Sequence, residues 1–183
     1  MRDLDDVNEQ LFSAVQQGDV ASARALLAGG ADARYIGHVQ TGEGDVSKLP
    51  LLFVACKAHN RDLAALLLEH GADPNARAYS EWTIPDADRW ELRCWSRTTC
   101  LSAAMPSLDL VSLLLAHRAN PNLPSEREDE SLHRAHAIKD AGDNAEIEAL
   151  LRQHGGALSR MLPTEDEVAR KQAASGKRQK KRK

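Results

Sequence analysis

The residues of this chain that could bind a metal or act as nucleophiles are its seven histidines and three cysteines. His133 and His136 are separated so that both would face one side of a helix, as two ligands of a zinc ion do. Cys94 and Cys100 do not form the C-x-x-C pair of a zinc or redox site. Because no cysteine or carboxylate is placed to complete a ligand set around the two histidines, we predict neither a metal site nor a cofactor.

Sequence motifs of catalysis are missing as well. Gly42-Glu43-Gly44 is acidic and no helical pattern follows it, so it predicts a turn and not a phosphate-binding loop. The chain contains no G-x-S-x-G, H-E-x-x-H or protein-kinase motif. His70, His117 and His154 stand at the ends of three helical patterns, where an imidazole interacts favourably with the last carbonyls of a helix. The sequence therefore offers no assembled catalytic site, and we expect a protein that is not an enzyme.

Aromatic residues and arginines are concentrated in one segment, residues 76–98. Aromatics make up only 4% of the chain, yet all three tryptophans and one of the two tyrosines lie here. Tryptophan, tyrosine and arginine are the residue types enriched at binding hot spots. The candidate partner-binding residues are Tyr79, Trp82, Arg89, Trp90, Arg93 and Trp95, with Tyr35 in an earlier polar segment. Two interpretations stay open: the segment docks a partner, or its tryptophans fold back as a small core that holds a long loop in shape. The two can coexist, with one or two tryptophans inward and one outward.

The C-terminal segment is strongly basic. Residues 171–183 carry seven Lys or Arg and no acid, which leaves 17 basic and 27 acidic residues elsewhere, a net charge of −10. The segment has no apolar residue larger than alanine, so we expect it to be solvated. Its basic cluster indicates a nuclear-import signal or a contact with nucleic acid or another polyanion, and a merely solvating terminus is the alternative. The cluster consists of Lys177, Arg178, Lys180, Lys181, Arg182 and Lys183.

The elements that must position these side chains are predicted to be helices. The chain has 183 residues, of which 42% are hydrophobic, and its few aromatics disfavour a β-sandwich or barrel. Its core must consist of Leu, Ala and Val, which favours an all-α fold. No apolar run reaches the ~18–20 residues that cross a bilayer. The odd number of cysteines argues against a secreted disulfide scaffold and for a reducing compartment, cytoplasmic and/or nuclear.

Four similar segments recur along the chain, and each ends an amphipathic helical pattern that a shorter helical pattern precedes. They are ALLAGGADAR (25–34), LLLEHGADPN (66–75), LLLAHRANPN (113–122) and LLRQHGGALS (150–159). Gly30, Gly71 and Gly155 stand where the longer helix should stop, a position that favours a left-handed backbone. Arg118 replaces glycine in the third segment, at a cost on the order of 1 kcal/mol. Such helix pairs bury their apolar stripes only when copies stack.

These segments resemble the ankyrin-repeat family over about residues 7–158. The matching residues are the G-A-D-x-N ends, Gly71-Ala72-Asp73-Pro74-Asn75 and Ala119-Asn120-Pro121-Asn122, and degenerate forms of the T-P-L-H-x-A start at 99–104 and 131–135. The resemblance implies stacked helix pairs, with loops between them that family members project as β-hairpin fingers. It also implies that the groove and the fingers contact protein partners. His133 matches the histidine of the start motif, which would bond backbone within the turn.

The repeats are irregular, since the glycine-equivalent positions are 41, 47 and 37 residues apart against about 33 in the family. We assign the extra residues of the first two intervals to long finger loops, and those of the third to a longer turn between two helices around 139–144. The predicted repeat domain spans 7–162, with units at about 7–34, 49–75, 98–122 and 130–158 and long loops at 33–48 and 76–98. A short helix follows at 163–174, and a disordered basic tail at 175–183.

The predicted molecule is thus an all-α, ankyrin-type helix-turn-helix solenoid. Its predicted function is that of a non-catalytic scaffold or adaptor that binds an unknown protein partner through its groove and its Trp-rich finger loop. The alternative is a nuclear or RNA-associated protein whose basic tail supplies targeting, through a nuclear-import receptor, or polyanion binding. Because the body is acidic, nucleic acid could bind only at the tail. We expect a monomer with no membrane span.

Overall fold

The computed structural model describes residues 4–40, 46–84, 92–128 and 132–157. In these ranges, eight helices follow one another as four pairs. They are α1 (Leu4–Gln17) and α2 (Val20–Ala28), α3 (Leu51–Lys57) and α4 (Arg61–Glu69), α5 (Cys100–Ala104) and α6 (Leu108–Ala116), and α7 (Ala137–Asp140) and α8 (Ala145–Gln153). None of these described helices has the length and apolar character needed to cross a membrane.

A polar side chain starts the second helix of every pair. Asp19, Asn60, Ser107 and Asn144 precede α2, α4, α6 and α8, and each side-chain oxygen accepts a hydrogen bond from the backbone N–H three residues later, at 3.0–3.5 Å. Such a cap satisfies one of the unpaired N–H groups of the first turn and contributes about 1 kcal/mol. The short polar turns between paired helices therefore fix where each second helix begins.

The same four helices are each followed by a left-handed residue, as the sequence predicted. The backbone φ is +96° at Gly30, +86° at Gly71, +67° at Arg118 and +85° at Gly155. The three histidines predicted at helix ends are the C-cap residues of α4, α6 and α8. Both predictions about the helix ends are confirmed.

The core lies between the stacked pairs. The first helix of each pair packs on the first helix of the next, and the second helices form a parallel series of contacts. The largest fully buried side chains are Leu11, Val15, Leu51, Leu52, Leu63, Leu66, Leu67, Leu110, Val111, Leu114, Ile147 and Leu151. The described core is therefore built from aliphatic residues, as predicted from the composition.

Asparagines at the ends of the repeats join each helix pair to the next. Asn75 Oδ1 accepts a hydrogen bond from the backbone N–H of Asn120 at 2.7 Å. Asn122 Oδ1 accepts one from the N–H of Ala157 at 2.9 Å, and Asn122 Nδ2 donates to the carbonyl of Gly155 at 2.8 Å. The last residue of each complete D-x-N or N-x-N motif thus satisfies backbone groups of the following repeat, which explains why the motif recurs.

The all-α prediction is wrong, because the segments between helix pairs form an antiparallel sheet. Six strands of the described residues pair in chain order. They are β1 (Ile36–Gln40), β2 (Val46–Pro50), β3 (Arg77–Ile84), β4 (Leu92–Thr99), β5 (Ser125–Glu128) and β6 (Leu132–Ala135). The predicted loops 33–48 and 76–98 are hairpins, and these hairpins also pair with their neighbours through β2–β3 and β4–β5. Pairing between distant segments offsets the weak strand propensity of their polar residues.

A third hairpin, β5–β6, was not predicted. The extra residues of the third interval lie in this hairpin between α6 and α7, and not mainly in a longer turn at 139–144. His133 consequently lies in a strand, and α7 begins only at Ala137. The predicted helical start at 131–135 was therefore wrong. The predicted helix 163–174 and tail 175–183 lie outside the described residues, and the predicted domain boundaries stay a prediction.

Candidate functional site

Alternation along the strands separates the candidate residues onto two faces of the sheet. Tyr79 and Trp82 are an odd number of positions apart in β3, so their side chains project to opposite faces. The antiparallel register places Arg93 and Trp95 of β4 on the face of Tyr79. We call the face of Trp82 the groove face and the opposite one the outer face. The aromatic residues of this segment therefore form two sets, one on each face of the sheet.

Contacts within the protein engage the aromatic residues of the outer face. The guanidinium carbon of Arg97 lies 6.0 Å from the ring centroid of Tyr79 and 5.3 Å from that of Trp95, within cation–π range. Tyr79 Oη donates a hydrogen bond to Glu81 at 2.9 Å, and Trp95 Nε1 donates one to Glu128 at 2.5 Å. Burial, and then the hydrogen bond to Glu81, raise the pKa of Tyr79. The polar tips of both rings are thus satisfied internally.

Glu126 is the centre of an ion-pair network on the same outer face. Its carboxylate lies 3.6 Å from Arg77, 3.8 Å from Arg97 and 3.2 Å from Arg134, and its side chain is only 12% exposed. The three arginines come from β3, β4 and β6, so the carboxylate of β5 joins four strands. This network holds the second and third hairpins together.

The groove face borders an open groove of about 460 Å³ between the sheet and α7. Trp82 contributes its ring, and the guanidinium carbon of Arg127 lies 5.5 Å from the ring centroid. The remaining lining residues are small, hydroxyl-bearing or ionisable: Ser96, Thr98, Ser125, Glu126, His133, Arg134, Ala135 and Lys139. The groove therefore joins an aromatic surface to a cluster of cationic side chains.

The positions of the groove residues follow from the register. Ser96, Arg127 and His133 are Cα partners on β4, β5 and β6. Since neighbouring strands lie about 4.8 Å apart, this row spans roughly 10 Å. Lys139 faces the row from α7, while Arg134 and Glu126 border the groove as an ion pair. Charged groups thus approach the groove from both the sheet and the helix.

A hydroxyl chain joins the two walls of the groove at its base. Ser125 of β5 donates to Ser102 Oγ of α5 at 2.9 Å, and Ser102 donates to Asp140 of α7 at 2.6 Å. Thr99 contributes its backbone N–H to Ser125 Oγ at 3.2 Å. Strand β5 and helices α5 and α7 are therefore fixed relative to one another by side chains as well as by packing.

Other predicted partner-binding residues lie away from the groove or outside the described part of the chain. Tyr35 precedes β1, is half-buried and donates a short hydrogen bond to Glu9 of α1. That bond and burial raise the pKa of Tyr35 to about 12. Arg93 is exposed and lies 2.8 Å from Glu81 on the outer face. The remaining predicted contacts, Arg89, Trp90 and the basic cluster of Lys177, Arg178, Lys180, Lys181, Arg182 and Lys183, lie outside the described residues.

The histidines that invited a metal interpretation do not share a helix. His133 is exposed in β6 and lines the groove, whereas His136 is buried as the N-cap residue of α7. His136 Nδ1 lies 3.1 Å from the carbonyl oxygen of Asn122, a backbone contact of the kind that the resemblance implied for His133. Within the described ranges, no group of three or more His, Cys, Asp or Glu side chains is arranged to hold a metal ion.

The three cysteines are buried and unbridged. Cys100 Sγ of α5 donates a hydrogen bond to the carbonyl oxygen of Ala76 at 3.4 Å. The neighbouring thiol of Cys56 in α3, together with burial, raises the pKa of the Cys100 thiol. A thiol is a poor nucleophile when its thiolate is disfavoured in this way. The pair therefore contributes to packing between the second and third helix pairs.

Sequence reasoning missed Arg127 and Lys139, the two exposed cations of the groove. Arg127 lies in the hairpin that was not recognised, and Lys139 was assigned to a turn. The sequence did contain a signal for the two faces of the sheet. Once residues 77–84 are assigned to a strand, alternation places the side chains of Trp82 and Tyr79 on opposite faces.

Comparison with known families identifies part of this architecture. Residues 49–79 match the family model described as ankyrin repeat. The matched range runs from the end of β2 through α3 and α4 into β3. No curated protein matches the chain. The predicted resemblance is confirmed over residues 49–79, which match an ankyrin repeat, a protein-interaction module that is generally non-catalytic.

Proposed function

We propose that this chain, which contains an ankyrin repeat, is a non-catalytic adaptor that binds a protein partner in the groove between the sheet and α7. The observation that carries the proposal is the Trp82–Arg127 pair on the groove wall. Tryptophan and arginine dominate binding hot spots, and the pair presents both to one open groove. The aromatic residues of the outer face, in contrast, have intramolecular partners for their polar tips.

The two faces supply a matched pair of variants for the test. Trp82→Ala removes the aromatic surface of the groove, and Trp95→Ala removes a ring from the outer face of the same hairpin. Affinity purification followed by titration of the enriched partner should show a loss of about 2 kcal/mol, roughly 30-fold in Kd, for Trp82→Ala. Trp95→Ala should bind within about threefold of the wild type.

The opposite result would place the interface on the other face. If Trp95→Ala loses the partner and Trp82→Ala keeps it, the contacts predicted at Tyr79, Arg93 and Trp95 are the interface and the groove is not. Thermal melting of both variants distinguishes lost binding from lost folding. If binding decreases only in proportion to the fraction unfolded, the tryptophans serve the fold.

A second candidate function, in nuclear targeting or RNA association, is supported by the charge distribution. Residues 171–183 carry seven basic residues, whereas the rest of the chain has a net charge of −10. Such a segment attracts an import receptor or a polyanion, and it corresponds to a cytoplasmic and/or nuclear location. Deletion of 171–183 should then reduce nuclear accumulation and retention on nucleic acid. An unchanged distribution and unchanged retention would exclude the tail-based function.

A further inference from the structure

We propose that the groove selects an acidic peptide segment of its partner, whose carboxylates pair with Arg127 and Lys139 while a neighbouring apolar side chain packs on Trp82. This inference rests on the proposed function and names the chemistry of the partner. It is carried by the charge and the position of the groove residues together.

The groove is cationic on an acidic protein. Outside 171–183 the chain has a net charge of −10, yet the two exposed charged side chains that the described residues contribute to the groove lining are the cations Arg127 and Lys139. Arg134 and Glu126 also border the groove, but they project to the outer face and pair with each other. Glu126 is itself surrounded by three arginines, and its side chain is largely buried. A partner that complements this lining is therefore negatively charged.

The two principal cations are placed to hold an extended segment between them. Arg127 extends from the sheet beside the ring of Trp82, and Lys139 extends from α7 on the other wall. Both side chains are exposed, and arginine forms forked hydrogen bonds with carboxylates. Ser96 and Thr98 also line the groove, with hydroxyl groups that suit a peptide backbone. The volume of about 460 Å³ accommodates a few side chains.

A random peptide display library tests this chemistry without knowledge of the partner. Dodecapeptides are selected in parallel on the immobilised full-length wild type, on Arg127→Glu combined with Lys139→Glu, and on Arg93→Glu as a control. Arg93 is an exposed arginine of the same sheet on the outer face. We expect peptides rich in Asp and Glu from the wild type and from the control, and peptides rich in Lys and Arg from the double variant.

The contribution of each cation is measured by titrating the wild type and its variants with the tightest-binding peptide selected on the wild type. The single variants Arg127→Ala and Lys139→Gln should each raise its Kd at least fivefold, and Arg93→Ala should change it less than twofold. Lys139→Gln leaves the Trp82–Arg127 contact in place, so its result does not depend on the folding of β5. Thermal melting of each variant accompanies the titration.

Three outcomes would overturn the inference. Selection of neutral or basic peptides by the wild type would show that the groove does not select acidic peptides. In that case the proposed function still holds if Trp82→Ala loses the cellular partner in the affinity purification. An equal loss of acidic selection in Arg93→Glu would show a general charge effect. Displacement of the selected peptide by a twelve-nucleotide oligouridylate at equal concentration would identify a polyanion site. The wild type can select acidic peptides while the Trp82→Ala variant still binds the cellular partner. That combination would contradict the proposed function but support the peptide-binding site.

Discussion

The outer face and the groove face of the sheet are made from the same strands, yet they present opposite surfaces to a partner. On the outer face, Tyr79, Trp95 and Glu126 find hydrogen bonds and arginine partners within the protein. On the groove face, Trp82 and Arg127 stack on each other and border an open groove. The difference arises from the alternation of strand side chains, which assigns neighbouring residues to different environments.

This contrast teaches that residue type alone does not identify a binding surface. Tryptophan, tyrosine and arginine lie on both faces, and on the outer face they join the second and third hairpins. The two interpretations of the aromatic segment thereby take a specific form. The outer face supports a structural role for its aromatics, whereas the groove face supports a binding role for Trp82. Variants of the core, of the sheet and of the helix ends test this difference between the two faces.

The largest effect on the free energy of unfolding is expected from a change in the helix core, on which both faces of the sheet depend. Leu114→Ala in α6 empties a fully buried position in the helix core, and such truncations cost about 2–5 kcal/mol of unfolding free energy. Denaturant unfolding should show this loss, and partner binding should fall only where the variant unfolds. Leu108→Ala in the same helix is the control, because Leu108 is 37% exposed and its truncation should cost well under half as much. Equal losses would contradict the assigned core.

The next largest effect separates the faces. Glu126→Gln removes the charge that three arginines surround on the outer face, and we expect it to cost about 1–2 kcal/mol of unfolding free energy. Glu128→Gln, which keeps an acceptor for Trp95 Nε1, should cost less than half of that. High salt should narrow the difference between the two variants, because partly exposed ion pairs are screened. If Glu126→Gln is neutral, the outer face is not held by this network.

Local chemistry predicted the helix framework of the protein. The left-handed stops and the Leu/Ala periodicity were predicted because each is encoded within about ten residues of sequence, and the family match at 49–79 agrees with them. The N-caps are equally local but were not predicted. These features depend on contacts between near neighbours, so a single sequence carries them. The positions of the histidines before Gly71 and Gly155, at the ends of α4 and α8, were correctly predicted in the same way.

The sheet depends on pairing between residues far apart in the chain, and composition concealed it. Ser47 and Ser80 are Cα partners with hydroxyls 3.0 Å apart, although 33 positions separate them. Strand β5 reads Ser-Glu-Arg-Glu, with no β-branched or aromatic residue. Its assignment as a strand requires its neighbours, and Arg127 as a groove residue requires that assignment. Trp82 was predicted as a binding residue from its residue type alone. That Trp82 and Trp95 lie on opposite faces of the sheet follows only from the register of β3 and β4.

A smaller effect tests the helix layer independently of either face. Arg118 holds φ at +67° where the equivalent repeats have glycine, so Arg118→Gly should stabilise the protein by about 0.5–1 kcal/mol. Gly71→Ala is the mirror control and should destabilise by a similar amount, since a Cβ there meets nothing closer than 3.8 Å and only backbone strain is added. Partner affinity should not change in either variant. A destabilised Arg118→Gly would mean that its side chain contributes more than its backbone strain costs.

The smallest effect is expected at Tyr35. A variant of this residue tests whether its ring stabilises the first hairpin or contacts a partner. Its hydrogen bond to Glu9 and burial raise its pKa to about 12 in the folded protein, against about 10 in an unfolded chain. Because the folded pKa is the higher one, this contribution to stability is complete below pH 10 and is lost as pH rises through 12. In a Tyr79→Phe background only Tyr35 remains to ionise, so ultraviolet absorbance should follow its titration near pH 12 when folded and near 10 in urea. Tyr35→Phe should cost on the order of 0.5 kcal/mol below pH 10 and leave partner binding unchanged, whereas a lost partner would extend the binding surface to the first hairpin.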